Sequence, residues 1–284
     1  MSRLHVLLAS ICFGTTGTAQ ALGPDGLSPA GVGAGRILVG GALLVLVALL
    51  SRRLTRLPLR PLLLGATAVA TYQLAFFAAV ADTGVAVGTI VALGSAPALA
   101  GAIEWAVDRR TPTRAWVVAT GLACAGVALL AGGGDTAISL PGVVLALCAG
   151  ASYAGYTIAA KRMLTAGHAP ESVMAGAFGL GAVLLAPVLA ITGVGWAVEP
   201  GGAALILFLG IVPTALAYLL FARGLKHLSA AETATLTLAE PLTAALLGVI
   251  ILAEQPNVLG AGLIFAGLLV LAAPEVRRPA TVPA

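Results

Sequence analysis

Glu240 lies ten residues into the apolar run Ala230–Leu252, which at 1.5 Å per residue is about 15 Å, half the hydrocarbon thickness of a bilayer. An ionised carboxylate at that depth costs about 3 kcal/mol to insert, so it has to face protein or water and find a partner. Thr233, Thr237 and Glu240 follow i, i+4, i+7 spacing and form one polar stripe that can face a cavity. Pro241, next in the chain, removes a backbone donor and frees a carbonyl about one turn earlier. Pro97 is the matching candidate for a helix break in an earlier run. A polar, broken helix at this depth suits the binding of a small solute or a coupling ion. The competing reading is a neutral glutamic acid bonded to backbone at a kink.

Arg36 is the sole basic residue inside an apolar run, roughly 10 Å from the end of that run by the helical rise. A guanidinium does not deprotonate, so it needs carbonyls, an acid or the membrane interface, and snorkelling to the interface is the alternative to a buried role. The charges of Arg36 and Glu240 are read as facing a common cavity, where Arg36 attracts a carboxylate and Glu240 an ammonium or a coupling proton. Tyr72, Gln73 and Tyr153 fall near the middle of their runs, either lining a path or bonding between helices. Tyr156 and Tyr218 fall nearer one end and read as interface anchors. Thr15, Thr16, Thr18 and Gln20 make the first run unusually polar and hint at a wet face.

The elements that must position these groups follow from composition. Of 284 residues, 60% are apolar and 9% charged, against about 25% charged in a typical globular protein. With a mean hydropathy of +1.06, there is too little polar surface to coat a soluble fold, which excludes a soluble enzyme, a disordered tail and a nucleic-acid module. Cys12, Cys124 and Cys148 all sit in apolar stretches and read as packing residues, without disulfide or metal spacing.

Ten apolar runs are long enough to span as helices: Leu4–Leu22, Pro29–Leu50, Pro61–Val80, Gly84–Ala106, Ala115–Ala131, Pro141–Ala160, Pro170–Thr192, Gly201–Ala222, Ala230–Leu252 and Val258–Ala273. With a cytoplasmic amino terminus, the inner segments hold Arg3, Arg52, Arg53, Arg56, Arg60, Arg109, Arg110, Arg114, Lys161, Arg162, Arg223, Lys226, Arg277 and Arg278. Those are fourteen of the fifteen basic residues. The outer turns hold Asp25, Asp82, Asp135, Glu199 and Glu254. This split sets orientation and supports an even number of spans, with both termini cytoplasmic.

The halves resemble each other. Phe77-Ala78 aligns with Phe221-Ala222, Pro97 with Pro241, Gly121-Leu122 with Gly262-Leu263, Ala125-Gly126 with Ala266-Gly267, and Cys12 and Gly14 with Cys148 and Gly150. Five spans per copy is an odd number, so the second copy is inverted relative to the first. Inverted repeats with a midplane site between them are characteristic of secondary transporters. The expected fold is therefore an all-α integral membrane protein of ten transmembrane helices in two inverted five-helix repeats, residues 1–131 and 141–273, with a cytoplasmic tail at 274–284.

The stretch Leu209-Gly210-Ile211-Val212-Pro213-Thr214-Ala215-Leu216-Ala217-Tyr218, with Ala239-Glu240-Pro241-Leu242-Thr243-Ala244-Ala245-Leu246-Leu247-Gly248 and Glu254, resembles the second repeat of EamA-like proteins. Pro29, Arg36 and Ala96-Pro97 carry the likeness in the first half. The resemblance implies the drug/metabolite transporter superfamily and export of amino acids or other small metabolites. Arg110 stands where members often carry an acid, which Glu254 keeps in the second half.

Catalysis finds no support in the residues. There is no HExxH, the three histidines fall at or outside span ends, and Gly150-Ala151-Ser152-Tyr153-Ala154 lacks the second glycine of a nucleophile elbow. No GxxxxGK occurs, so transport would draw on an ion gradient or the substrate's own gradient. No cofactor, metal or nucleic-acid partner is expected. The expectation is a secondary carrier in the inner membrane for a small-molecule substrate. A passive pore or a scaffold is the alternative. With 5% aromatic residues, a stacking cage for large planar compounds is not expected.

Overall fold

Helix starts follow from serine and proline. Ser28 accepts from Gly31 N ahead of Pro29, and Ser139 from Gly142 N ahead of Pro141, while Pro170 and Pro200 open two further helices. The computed structural model describes residues 1–109, 111–131, 139–253 and 257–272. Arg110, Asp135, Glu254, Arg277 and Arg278 lie outside the described residues.

The helices are α1 (Ser2–Ala21), α2 (Pro29–Leu50), α3 (Leu59–Asp108), α4 (Arg114–Ala131), α5 (Leu140–Thr165), α6 (Pro170–Thr192), α7 (Pro200–Gly210), α8 (Ala217–Leu225), α9 (Ala230–Leu236), α10 (Glu240–Leu252) and α11 (Val258–Ala272). No described residue is in a strand. Seven helical segments are long and apolar enough to cross a membrane, and Arg114–Leu129 and Val258–Leu271 are shorter apolar helices. Large apolar side chains such as Leu46, Leu64, Val183 and Phe265 face outward, as a lipid-facing surface requires. The chain is an all-helical, multi-pass membrane protein.

The third and fourth runs are joined differently from the expected pair of separate spans. α3 is 50 residues long, which laid straight would reach about 75 Å, over twice the hydrocarbon thickness. It does not run straight. A Cβ on Gly88 would stand 3.2 Å from Val80 Cα, whereas eight residues along a straight helix are about 12 Å apart. The chain therefore reverses between them, giving two apolar arms, Leu59–Thr83 and Val87–Val107.

Two prolines shape the other discontinuities. Pro213 has no N–H for the Leu209 carbonyl four residues back, and the helix widens into π turns over Ile211–Leu216. Thr214 Oγ1 donates to Leu209 O at 2.7 Å, satisfying the orphaned group. Pro241 likewise abandons the Thr237 carbonyl. The chain tightens into a 3-10 turn over Thr237–Ala239, and the Glu240 N–H donates to Thr237 O instead. Pro97 lies inside α3, in its second arm.

Packing is close because the interior is rich in alanine and glycine. α3 lies along α5, α2 along α6 and α4 along α11, while α1 rests on α8 and α10. At Gly41 a Cβ would come within 2.7 Å of Phe178 O, a separation that only glycine allows between α2 and α6.

Candidate functional site

α2 supplies Arg36, the first arm of α3 supplies Tyr72 and Gln73, α5 supplies Tyr153 and Tyr156, and α8 supplies Tyr218. Glu240 is the first residue of α10, set there by the 3-10 turn that Pro241 imposes. Arg36 does not rely on the interface alone for a partner: its Nη2 donates to Gln73 Oε1 at 3.0 Å. Arg36 Nε and Gln73 Nε2 are both buried and have no hydrogen-bond partner.

The Glu240 carboxylate makes no hydrogen bond and no ion pair within 4.0 Å among the described residues. The backbone bond that an acid of purely local, kink-stabilising role would make is thus not formed. Arg36 and Glu240 are both partly buried and do not pair with each other, and Tyr72 and Tyr218 line the same cleft as Gln73, the partner of Arg36. Between the helices is a narrow cleft of about 10 Å³, lined by Ile37, Tyr72, Gln73, Tyr153 and Tyr218 among others. That is room for about one water-sized group.

Thr237 joins this centre, its hydroxyl 3.1 Å from Tyr153 OH, while also donating to Ala234 O. Thr233 does not: it is fully buried and returns its hydroxyl to Ser229 O at 2.8 Å. The 3-10 turn between Leu236 and Glu240 rotates the stripe, so the regular helical spacing read from the sequence does not carry through it.

The aromatic residues hold the largest correction. Tyr156 is 3% exposed and its hydroxyl donates to Met174 Sδ, and Tyr218 packs on Phe178 with ring centroids 4.0 Å apart. Neither is an interface anchor. α5 continues to Thr165 and α8 to Leu225, beyond the expected ends at Ala160 and Ala222. All four tyrosines join Phe13, Phe76, Phe77, Phe178 and Phe221 in one connected set of ring contacts. A low aromatic content therefore does not leave the centre without a stacking surface. The signal was present as Tyr153/Tyr156, Tyr218/Phe221 and Tyr72/Phe76, each three or four residues apart on one helix.

At the end of the molecule that carries Arg3, polar contacts hold the helices together. Glu104 accepts from Ala230 N at 2.6 Å and Ala231 N at 3.1 Å, across the start of α9. Arg3 pairs with Glu232 at 2.8 Å, Arg223 lies 3.5 Å from Glu171, and Lys161 donates to the carbonyls of Leu225 and Lys226. Among the described residues no group of three or more His, Cys, Asp or Glu is placed to hold a metal.

An all-helical membrane protein with partly buried, unpaired opposite charges within its helices has the features expected of a transport protein. The chain belongs to the EamA-like transporter family, whose sequence profile matches residues 2–132 and again residues 140–273. It is 44% identical over 284 residues to the "Uncharacterized transporter YwfM" of Bacillus subtilis (strain 168), covering 98% of this chain and 96% of that protein. It is 31% identical over 136 residues to an "Uncharacterized transporter" of Archaeoglobus fulgidus, covering 45% and 47% of the two chains. A solved crystal structure superposes with a TM-score of 0.82 at 22% identity, over 95% of each chain, and shares the fold.

Proposed function

We propose that this chain is a secondary carrier that exports a small metabolite, an amino acid or related compound, across the inner membrane by alternating access. The observation that carries the reading is that Arg36 and Glu240, both partly buried within the helices, form no ion pair, since each charge inside a membrane is costly unless a ligand or partner compensates it. A solute with a carboxylate at one end and an ammonium at the other would complement both, and a proton on Glu240 could stand in for the ammonium. Tyr72, Gln73, Tyr153 and Thr237 line the path in this reading, and Thr233 supports it from within its helix.

The same reading has ten crossings. α1, with 20 residues, and the two shorter apolar helices would join the seven long segments. Residues 1–131 and 141–273 would be inverted five-helix repeats and 274–284 a tail, with both termini cytoplasmic. The twofold match to the family profile and the basic residues gathered on one set of loops support this arrangement. Rocking of the halves would expose the centre to each side in turn. The broken helices at Pro213 and Pro241 are suited to absorb that motion.

Flux of a labelled amino-acid panel in proteoliposomes, with and without an imposed pH gradient, tests the proposal. Saturable wild-type flux driven by the gradient, with Glu240→Gln retaining only exchange, is the expected result. Unsaturable flux would favour a pore, and absence of flux a scaffold.

A further inference from the structure

Gln73 is 2% exposed, and its amide is oriented by chemistry. Arg36 can only donate, so the Gln73 atom that meets its Nη2 has to be the oxygen. The amide NH₂ therefore points the other way, into buried space with no acceptor, and the neighbouring Arg36 Nε is equally unmatched. Leaving such donors bare in an apolar surrounding is costly. Gly33 on α2 lets this amide and the Phe77 ring pack directly against its backbone, since a Cβ there would come within 2.8 Å of Gln73 Nε2 and closer still to Phe77. Gln73 also lines the central cleft.

We propose that Arg36 and Gln73 together form the subsite for a carboxylate group of the solute, with Gln73 as the residue that sets this specificity. The proposal rests on the carrier reading and narrows it to solutes bearing a monoanionic carboxylate. The donors match that group: the Arg36 Nε–H and the Gln73 amide NH₂ are buried N–H groups left without an acceptor. A dianion such as a phosphate monoester is disfavoured, because the subsite holds one full positive charge. The cleft has room for one water-sized group, so admitting the carboxylate requires the helices to part, as alternating access does.

The test uses full-length protein in nanodiscs, with thermal stabilisation titrated against matched probes: alanine and alaninamide, leucine and leucinamide, propionate and propionamide. At least one acid is expected to stabilise the wild type with about tenfold higher apparent affinity than its amide, the loss of one charge-assisted contact. Gln73→Glu keeps an acceptor for Arg36 but repels an anion, and should abolish the difference. Gln73→Met, of similar shape without the NH₂, should reduce it. Melting without ligand establishes that each variant is folded. Equal binding of acid and amide overturns the proposal, as does an unchanged preference in Gln73→Glu or no stabilisation by any acid. Flux measured on the same variants in proteoliposomes separates the two ideas. Acid-selective binding without flux sinks the carrier and keeps the subsite, whereas flux inhibited equally by acids and amides does the reverse.

Discussion

Gly33→Ala would bring a methyl within 2.8 Å of Gln73 Nε2 and closer still to the Phe77 ring. Overpacking of this kind costs about 1–3 kcal/mol, so the variant is expected to melt earlier in detergent. An unchanged midpoint would show that Phe77 swings aside without penalty. Tyr153→Phe removes the contact to Thr237, and interhelical hydrogen bonds in membranes average about 0.6 kcal/mol. Its expected effect is accordingly small in stability, and a loss larger than that of Gly33→Ala would contradict this ranking. Arg36 and Glu240 were legible from the sequence because a charge in an apolar run is costly wherever the helix ends fall. Tyr156 and Tyr218 were not. Their burial is set by packing against Phe178 and Phe221, contacts between helices that a position along one helix does not encode.

Among elements, the π-helical turn at Ile211–Leu216 and the 3-10 turn at Thr237–Ala239 are opposite answers to the same problem, a carbonyl that proline has deserted. Thr214→Val leaves the Leu209 carbonyl without its hydroxyl partner and is expected to cost about 1–3 kcal/mol. Adding Pro213→Ala restores a backbone donor, so the double variant should recover much of that loss. A strictly additive pair in a thermal unfolding cycle would argue against the explanation. Glu104→Gln, which exchanges a charged cap on α9 for a neutral one, is expected to lower stability by about 1 kcal/mol in the same assay. The break at Pro241 was readable from one residue. Whether a proline widens or tightens a helix depends on its neighbours, as Pro213 and Pro241 show. The hairpin within α3 was half legible, as two apolar runs, but the loopless reversal depends on the close approach of Gly88 to Val80, which no run length encodes.

For the molecule as a whole, the charge pattern makes orientation testable without knowledge of the solute. In a background with Cys12, Cys124 and Cys148 replaced, Arg53→Cys and Asp25→Cys sit at exposed positions. A membrane-impermeant maleimide added to intact cells is expected to label the Asp25 variant alone, and to label the Arg53 variant only in inverted vesicles. The reverse pattern would overturn the assigned orientation. The aromatic distribution has a practical consequence. All four tyrosines of the chain surround the central cleft, while Trp105, Trp116 and Trp196 lie in other segments. Biosynthetic incorporation of fluorotyrosine would therefore give a fluorine NMR spectrum of four resonances, every one of them reporting on the centre. Ring-current and solvent shifts could then follow opening, closing and occupancy without attaching a label or altering a codon.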